Sequence, residues 1–81
     1  MKGKLIIFAL YVAFVLHWNY GTTPGITFNV YRNGFQIASG VTAHKYKDAH
    51  PKSGKNNYYV TAVQAGVESP PSNVVYVKVA Q

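Results

Sequence analysis

Residues 26–79 read ITFNVYRNGFQIASGVTAHKYKDAHPKSGKNNYYVTAVQAGVESPPSNVVYVKV. Short β-branched and aromatic runs are cut at close intervals by Asn33-Gly34, Ser39-Gly40 and Pro70-Pro71. Strands of that length with such frequent turn chemistry predict a small all-β antiparallel sandwich. Ile26, Phe28 and Val30 alternate with Thr27, Asn29 and Tyr31, which predicts a strand with one apolar face turned inward. Asn33-Gly34 predicts a hairpin, because both central residues of a type I′ turn need positive φ. Residues 35–38 form the next short strand, and residues 41–46 a weaker candidate. Residues 47–57 read as a polar, basic loop. A strand over 58–64, a loop over 65–73 and a final strand over 74–79 complete the pattern. Pro70 and Pro71 cannot donate to a ladder and bound the strands on either side.

Outward from that stretch, the N-terminus reads MKGKLIIFALYVAFVLHWNY, with an unbroken apolar run from Leu5 to Leu16. Three readings compete. Lys2 and Lys4 before the apolar run have the form of a secretory signal, but cleavage fits poorly. A cut after Ala13 places bulky Tyr11 where a small residue is wanted, and a cut after Ala9 leaves a very short apolar region. A membrane-spanning helix needs roughly 20 apolar residues, more than are present. The third reading is one long strand, residues 5–18, entering the sandwich. It would be apolar on both faces, so Leu5, Ile7, Tyr11 and Val15 would lie uncovered unless another subunit or surface met them. The division expected is an apolar strand or extension over 1–11 and a sandwich domain over 12–81.

Eighty-one residues bury a modest fraction of their unfolded surface, so the stability margin is thin. No cysteine is present to supplement the core. Eight Lys/Arg face only Asp48 and Glu68, a formal charge of +6. That balance favours acidic partners without choosing among them.

In combination, these segments resemble a fibronectin type III domain. Phe14-x-Leu16-x-Trp18 resembles its B strand, whose inward Trp anchors the core. Residues 26–34 resemble the C strand and turn, 37–41 the C′ strand, 58–63 the F strand and 68–75 the F–G loop and G strand. The resemblance implies an immunoglobulin-like β-sandwich used for interaction. Two departures stand out. The tyrosine that usually ties the E–F loop falls at Asn56, so the tie is absent or made by the Asn amide. A separate A strand with its own turn is also missing, so A is fused to B, exchanged with a neighbour, or absent.

Several clusters invite a site. Lys45, Lys47, Lys52 and Lys55, with His44 and His50, form a basic segment able to grip acidic groups, or else a solvated loop. Tyr31 and Tyr59 lie on adjacent strands of the implied sheet and together offer a contact face. The histidines His17, His44 and His50 lack cysteine or carboxylate company, which points away from a metal. One Asp, one Glu and no Cys, on a fold with little concave volume, point away from catalysis and from a cofactor. Too few aromatics accompany the lysines for a nucleic-acid stacking platform. The expectation is therefore a non-enzyme that binds other protein subunits of a larger assembly, foremost a small virion component such as a phage capsid or tail decoration. The alternative is a secreted or membrane-anchored bacterial module that recognises glycans or proteins. A membrane enters only if the N-terminal run is a signal or anchor.

Overall fold

Alternation of apolar and polar side chains sets eight strands in two antiparallel sheets among the described residues. The computed structural model describes residues 10–12, 15–20 and 24–79. One sheet has the order β1 (Leu10–Val12), β2 (Val15–His17), β5 (Lys45–Lys47). The other runs β4 (Phe35–Val41), β3 (Ile26–Arg32), β6 (Gly54–Gln64), with β7 (Val67–Glu68) and β8 (Val75–Val79) both pairing β6. Between the sheets lie Leu16, Trp18, Phe28, Val30, Tyr58, Val60 and Ala62, all buried. Trp18 meets Phe28 edge-on at 5.3 Å between ring centroids. The expected inward Trp is in place, and Val30 and Val60 share its cluster.

The N-terminal run corrects one expectation. It does not continue as one long strand, because β1 pairs antiparallel with β2 and sets Val12 opposite Val15 and Tyr11 opposite Leu16. A separate A-type strand, β1, therefore exists beside β2. Leu5 and Ile7 lie outside the described residues. Tyr11 stands in register with buried Leu16 instead of sharing a register position with Val15. Among the described residues no helix is long and apolar enough to cross a membrane.

Asn33-Gly34 forms the expected hairpin, with φ of 52° and 86°. A Cβ at Gly34 would meet nothing within 4 Å, so only the backbone conformation resists substitution. Gly34→Ala should then lower stability by about 1 kcal/mol, read as a shift in urea midpoint. A second hairpin of the same kind turns at Ala65 and Gly66, with φ of 51° and 80°, and creates β7 inside the expected loop. Alanine at positive φ gave no sequence signal for it.

The Ser69-Pro70-Pro71-Ser72 segment explains how one edge of β6 survives two prolines. Ser69 and Ser72 each exchange two hydrogen bonds with β6. The Ala62 N–H donates to Ser69 Oγ at 2.9 Å and the Val60 N–H to Ser72 Oγ at 2.9 Å. In return the Ser69 N–H donates to the Ala62 carbonyl at 2.8 Å, and the Ser72 N–H to the Val60 carbonyl at 2.9 Å. The hydroxyls take the place of strand carbonyls, so β7 and β8 act as one interrupted strand.

Candidate functional site

The outer face of the five-stranded sheet is where chemistry-bearing side chains gather. Along β3 and β6, Asn29 is in register with Thr61 and Tyr31 with Tyr59. Side chains directly opposite on one face touch, and the two tyrosine rings stack at 4.7 Å with 12° between planes. The sequence placed these two residues together, and the structure brings them into contact.

Glu68 was not singled out in the sequence, yet it organises this face. Its Oε2 accepts hydrogen bonds from the Tyr31 hydroxyl at 2.5 Å, the Thr61 hydroxyl at 2.6 Å and the Asn29 amide at 3.2 Å. The donors from Thr61, then Tyr31 and Asn29, hold its carboxyl below the ordinary glutamate range. Reciprocally, donation to Glu68 raises the Tyr31 phenol above its usual value. Glu68 is delivered by the β7 hairpin, whose turn at Ala65 and Gly66 carries no recognisable turn signal at its first residue. The result is a tyrosine pair in which Tyr31 is hydrogen-bonded to Glu68 and Tyr59 stacks on it.

Toward the other end of β6 the face turns cationic. Lys55 and Lys78 are directly opposite each other, and Asn57 faces Tyr76. Tyr76 is 63% exposed, with the Lys55 ammonium 4.9 Å from its ring centroid. Lys55, Tyr76, Val77 and Lys78 line a shallow recess there.

The single basic loop expected from Lys45, Lys47, Lys52 and Lys55 is taken apart by the fold. Lys45 and Lys47 stand on β5, opposite His17 and Val15 of the three-stranded sheet, where they line a separate groove with Ala43 and Tyr46. Lys52 stays in the connecting loop, and Lys55 belongs to β6 of the other sheet. β6 begins earlier than the sequence suggested because inward Asn56, fully buried, is satisfied by its surroundings. Its amide donates to the Lys52 carbonyl at 2.6 Å and accepts from the Asn33 amide at 3.1 Å. Polar residues in an inward strand position mimic a loop in sequence.

That Asn56 amide is one tie of the loop before β6; Tyr58 supplies another. The Tyr58 hydroxyl donates to Asp48 Oδ2 at 2.6 Å, and Arg32 Nη1 contacts both Asp48 oxygens at 2.8 and 2.9 Å. Burial opposes ionisation of Asp48, but the Tyr58, Arg32 and His50 N–H donors outweigh it and leave its carboxyl below the usual range. Asp48 is thereby committed to the fold, as Glu68 is to the tyrosine pair. Among the described residues no group of His, Asp and Glu is arranged to hold a metal.

Comparison with known proteins places this geometry. The chain aligns with 25% identity, at a TM-score of 0.66, to a fibronectin type III-like protein from Clostridium thermocellum, covering 93% of this chain and 88% of that one. Forty-nine residues, 60% of the chain, are 43% identical to a segment of Lys-gingipain W83 of Porphyromonas gingivalis, and the same holds for Hemagglutinin A of that organism. The chain spans only 3% and 2% of the length of these curated relatives. The named relatives are bacterial proteins, and none of them supports the virion expectation. Residues 10–78 match the model of the β-sheet domain of rhamnogalacturonan I lyases, and the chain, fibronectin type III-like in fold, belongs to that family.

Proposed function

We propose that this chain is a non-catalytic binding module of a secreted or surface-displayed bacterial protein, engaging glycans or proteins through the outer face of its five-stranded sheet. The Tyr31–Tyr59 stack, clamped through Glu68, carries this reading. Ordering two aromatic side chains before binding removes an entropic penalty that association would otherwise meet. Tyrosine also supplies apolar area with a polar tip, which suits ligands whose surfaces mix both characters. Similarity to a segment of a protein named for haemagglutination supports a binding role, and similarity to a lyase-associated β-sheet domain supports an accessory one. The apolar N-terminal run, with Leu5, Ile7, Tyr11 and Val15, is the proposed junction to neighbouring protein.

The test is binding of the purified chain to arrayed glycans and extracellular proteins, beside Tyr31→Ser/Tyr59→Ser. The wild type should bind at least one arrayed ligand. The double variant should lose about tenfold or more in affinity, the scale of one or two aromatic anchors. Equal binding by a folded double variant, or no binding by the wild type to any ligand, would remove the tyrosine face from its proposed role.

A further inference from the structure

We propose that Asn33 is a site of spontaneous deamidation that the native fold locks. The reaction is confined to copies whose β3–β4 hairpin has opened, and once it has occurred it keeps them from regaining full native stability.

The chemistry needs only the chain and water. Asn33 is the one asparagine of the sequence that is followed by glycine. Gly34 is exposed, and with no side chain of its own it leaves its backbone nitrogen unshielded. That nitrogen attacks Asn33 Cγ, forming a C–N bond and closing a five-membered imide. The Gly34 amide proton passes through solvent to the side-chain nitrogen, which leaves as ammonia. Water then opens the imide at either carbonyl, giving aspartate or isoaspartate at position 33. No oxidant or reductant takes part.

The fold withholds Asn33 from this reaction. Its backbone N–H donates to the Asn57 carbonyl at 2.8 Å, and its Oδ1 accepts from the Asn57 N–H at 2.9 Å. Its Nδ2 donates to Asn56 Oδ1 at 3.1 Å, and Asn56 Nδ2 donates in turn to the Lys52 carbonyl at 2.6 Å. Both ends of this chain are backbone groups of fixed polarity, an N–H at Asn57 and a carbonyl at Lys52. Each amide between them therefore has one permitted orientation. Closing the imide turns the Asn33 side-chain carbonyl back onto the following peptide and expels Nδ2, so both side-chain bonds must break first.

The same chain makes the product a poor fit. With a carboxylate at position 33, an oxygen faces Asn56 Oδ1, acceptor against acceptor, at a fully buried residue. Flipping the Asn56 amide only moves the conflict to the Lys52 and Gly54 carbonyls, which now accept from Nδ2 at 2.6 and 3.4 Å. Swinging the carboxylate into the recess that position 33 shares with Arg32, Phe35 and Lys52 strands the Asn57 N–H and the Asn56 oxygen. Isoaspartate inserts a methylene into the backbone of the turn between paired Arg32 and Phe35, where loop length sets the register.

The test incubates the wild type at mildly alkaline pH with and without enough urea to unfold it. Residue 33 is followed by peptide mass and by isoaspartyl methyltransferase labelling. Conversion should be at least about tenfold slower without urea, because only locally opened copies react. Gly34→Ala should react slowly in both conditions, since its methyl group crowds the attacking nitrogen. Converted chains returned from urea, and Asn33→Asp, should each show a lower urea midpoint than the wild type. Asn73→Asp makes the same change of charge at an exposed asparagine and should leave the midpoint nearly unchanged. No conversion in urea would overturn the site, and equal rates in the two conditions would overturn the lock. A wild-type midpoint in the converted chains, or equal losses in Asn33→Asp and Asn73→Asp, would overturn the role given to the amide chain.

Discussion

Trp18→Ala is expected to unfold most of the population at room temperature, or leave it close to the midpoint. Trp18 is 2% exposed and packs edge-on against Phe28 in the centre of the inter-sheet core. Truncating a buried Trp costs about 3–5 kcal/mol, from lost transfer free energy and the cavity left behind. A domain of 81 residues holds roughly 4–12 kcal/mol in total, at the usual stability per residue. Little or nothing remains. Trp18→Phe separates packing from polarity. The indole Nε1 is buried without a hydrogen-bond partner among the described residues, so phenylalanine loses area but also removes an unsatisfied donor. Its loss in chemical denaturation should be less than half that of alanine. Equal losses would show that the rim of the indole, and not core filling in general, determines stability here.

Asp48→Asn should be the most damaging polar substitution. It removes the only ion pair among the described residues and leaves the Arg32 guanidinium, itself largely shielded, without its counter-charge. Breaking a buried pair from one side typically costs about 3–5 kcal/mol, and the partial exposure of Arg32 places this case near the lower end. Asp48 also sets a pH signature. Its carboxyl is held below the ordinary aspartate range in the folded state. Folding therefore gains a contribution that is complete above the unfolded aspartate value, near pH 4, and is lost as pH falls through the lower folded value. Thermal melting should stay level from neutrality to about pH 4.5 and then decline steeply in the wild type. In Asp48→Asn the decline over the same window should be shallow, driven by exposed Glu68 alone. Matching acid profiles in the two proteins would show that the Arg32–Asp48–Tyr58 cluster contributes nothing to stability.

The difference between Asp48 and Glu68 shows why the two acids of a basic chain are informative. Each accepts several hydrogen bonds, but one closes the loop before β6 against the core and the other braces an outward face. With both spent internally, the surface left over is cationic by construction.

Local sequence determined most of the scaffold. Period-two alternation at Ile26, Phe28 and Val30 placed β3 with one face inward, because strand side chains alternate by geometry. Asn33-Gly34 set the β3–β4 hairpin, because few other residues accept two successive positive φ values. Trp18 was legible as a core anchor, and Tyr31 and Tyr59 as neighbours on one face. These are all consequences of interactions within or between adjacent strands. Only the tertiary structure decided the rest. The apolar N-terminal run folds back as β1 and β2 because pairing against β5 covers its backbone, and hydropathy alone cannot distinguish one long strand from two short ones. Asn56 lies inside the core because Asn33 and the Lys52 carbonyl satisfy it, partners 23 and 4 residues away. The clustered lysines part company because consecutive strands belong to opposite sheets, sending Lys45 and Lys47 to one face and Lys55 to the other. Lys55 then meets Lys78 and Tyr76 through pairing between β6 and β8. Such juxtapositions depend on which strands become neighbours, a property of the whole chain's packing that no window of sequence contains.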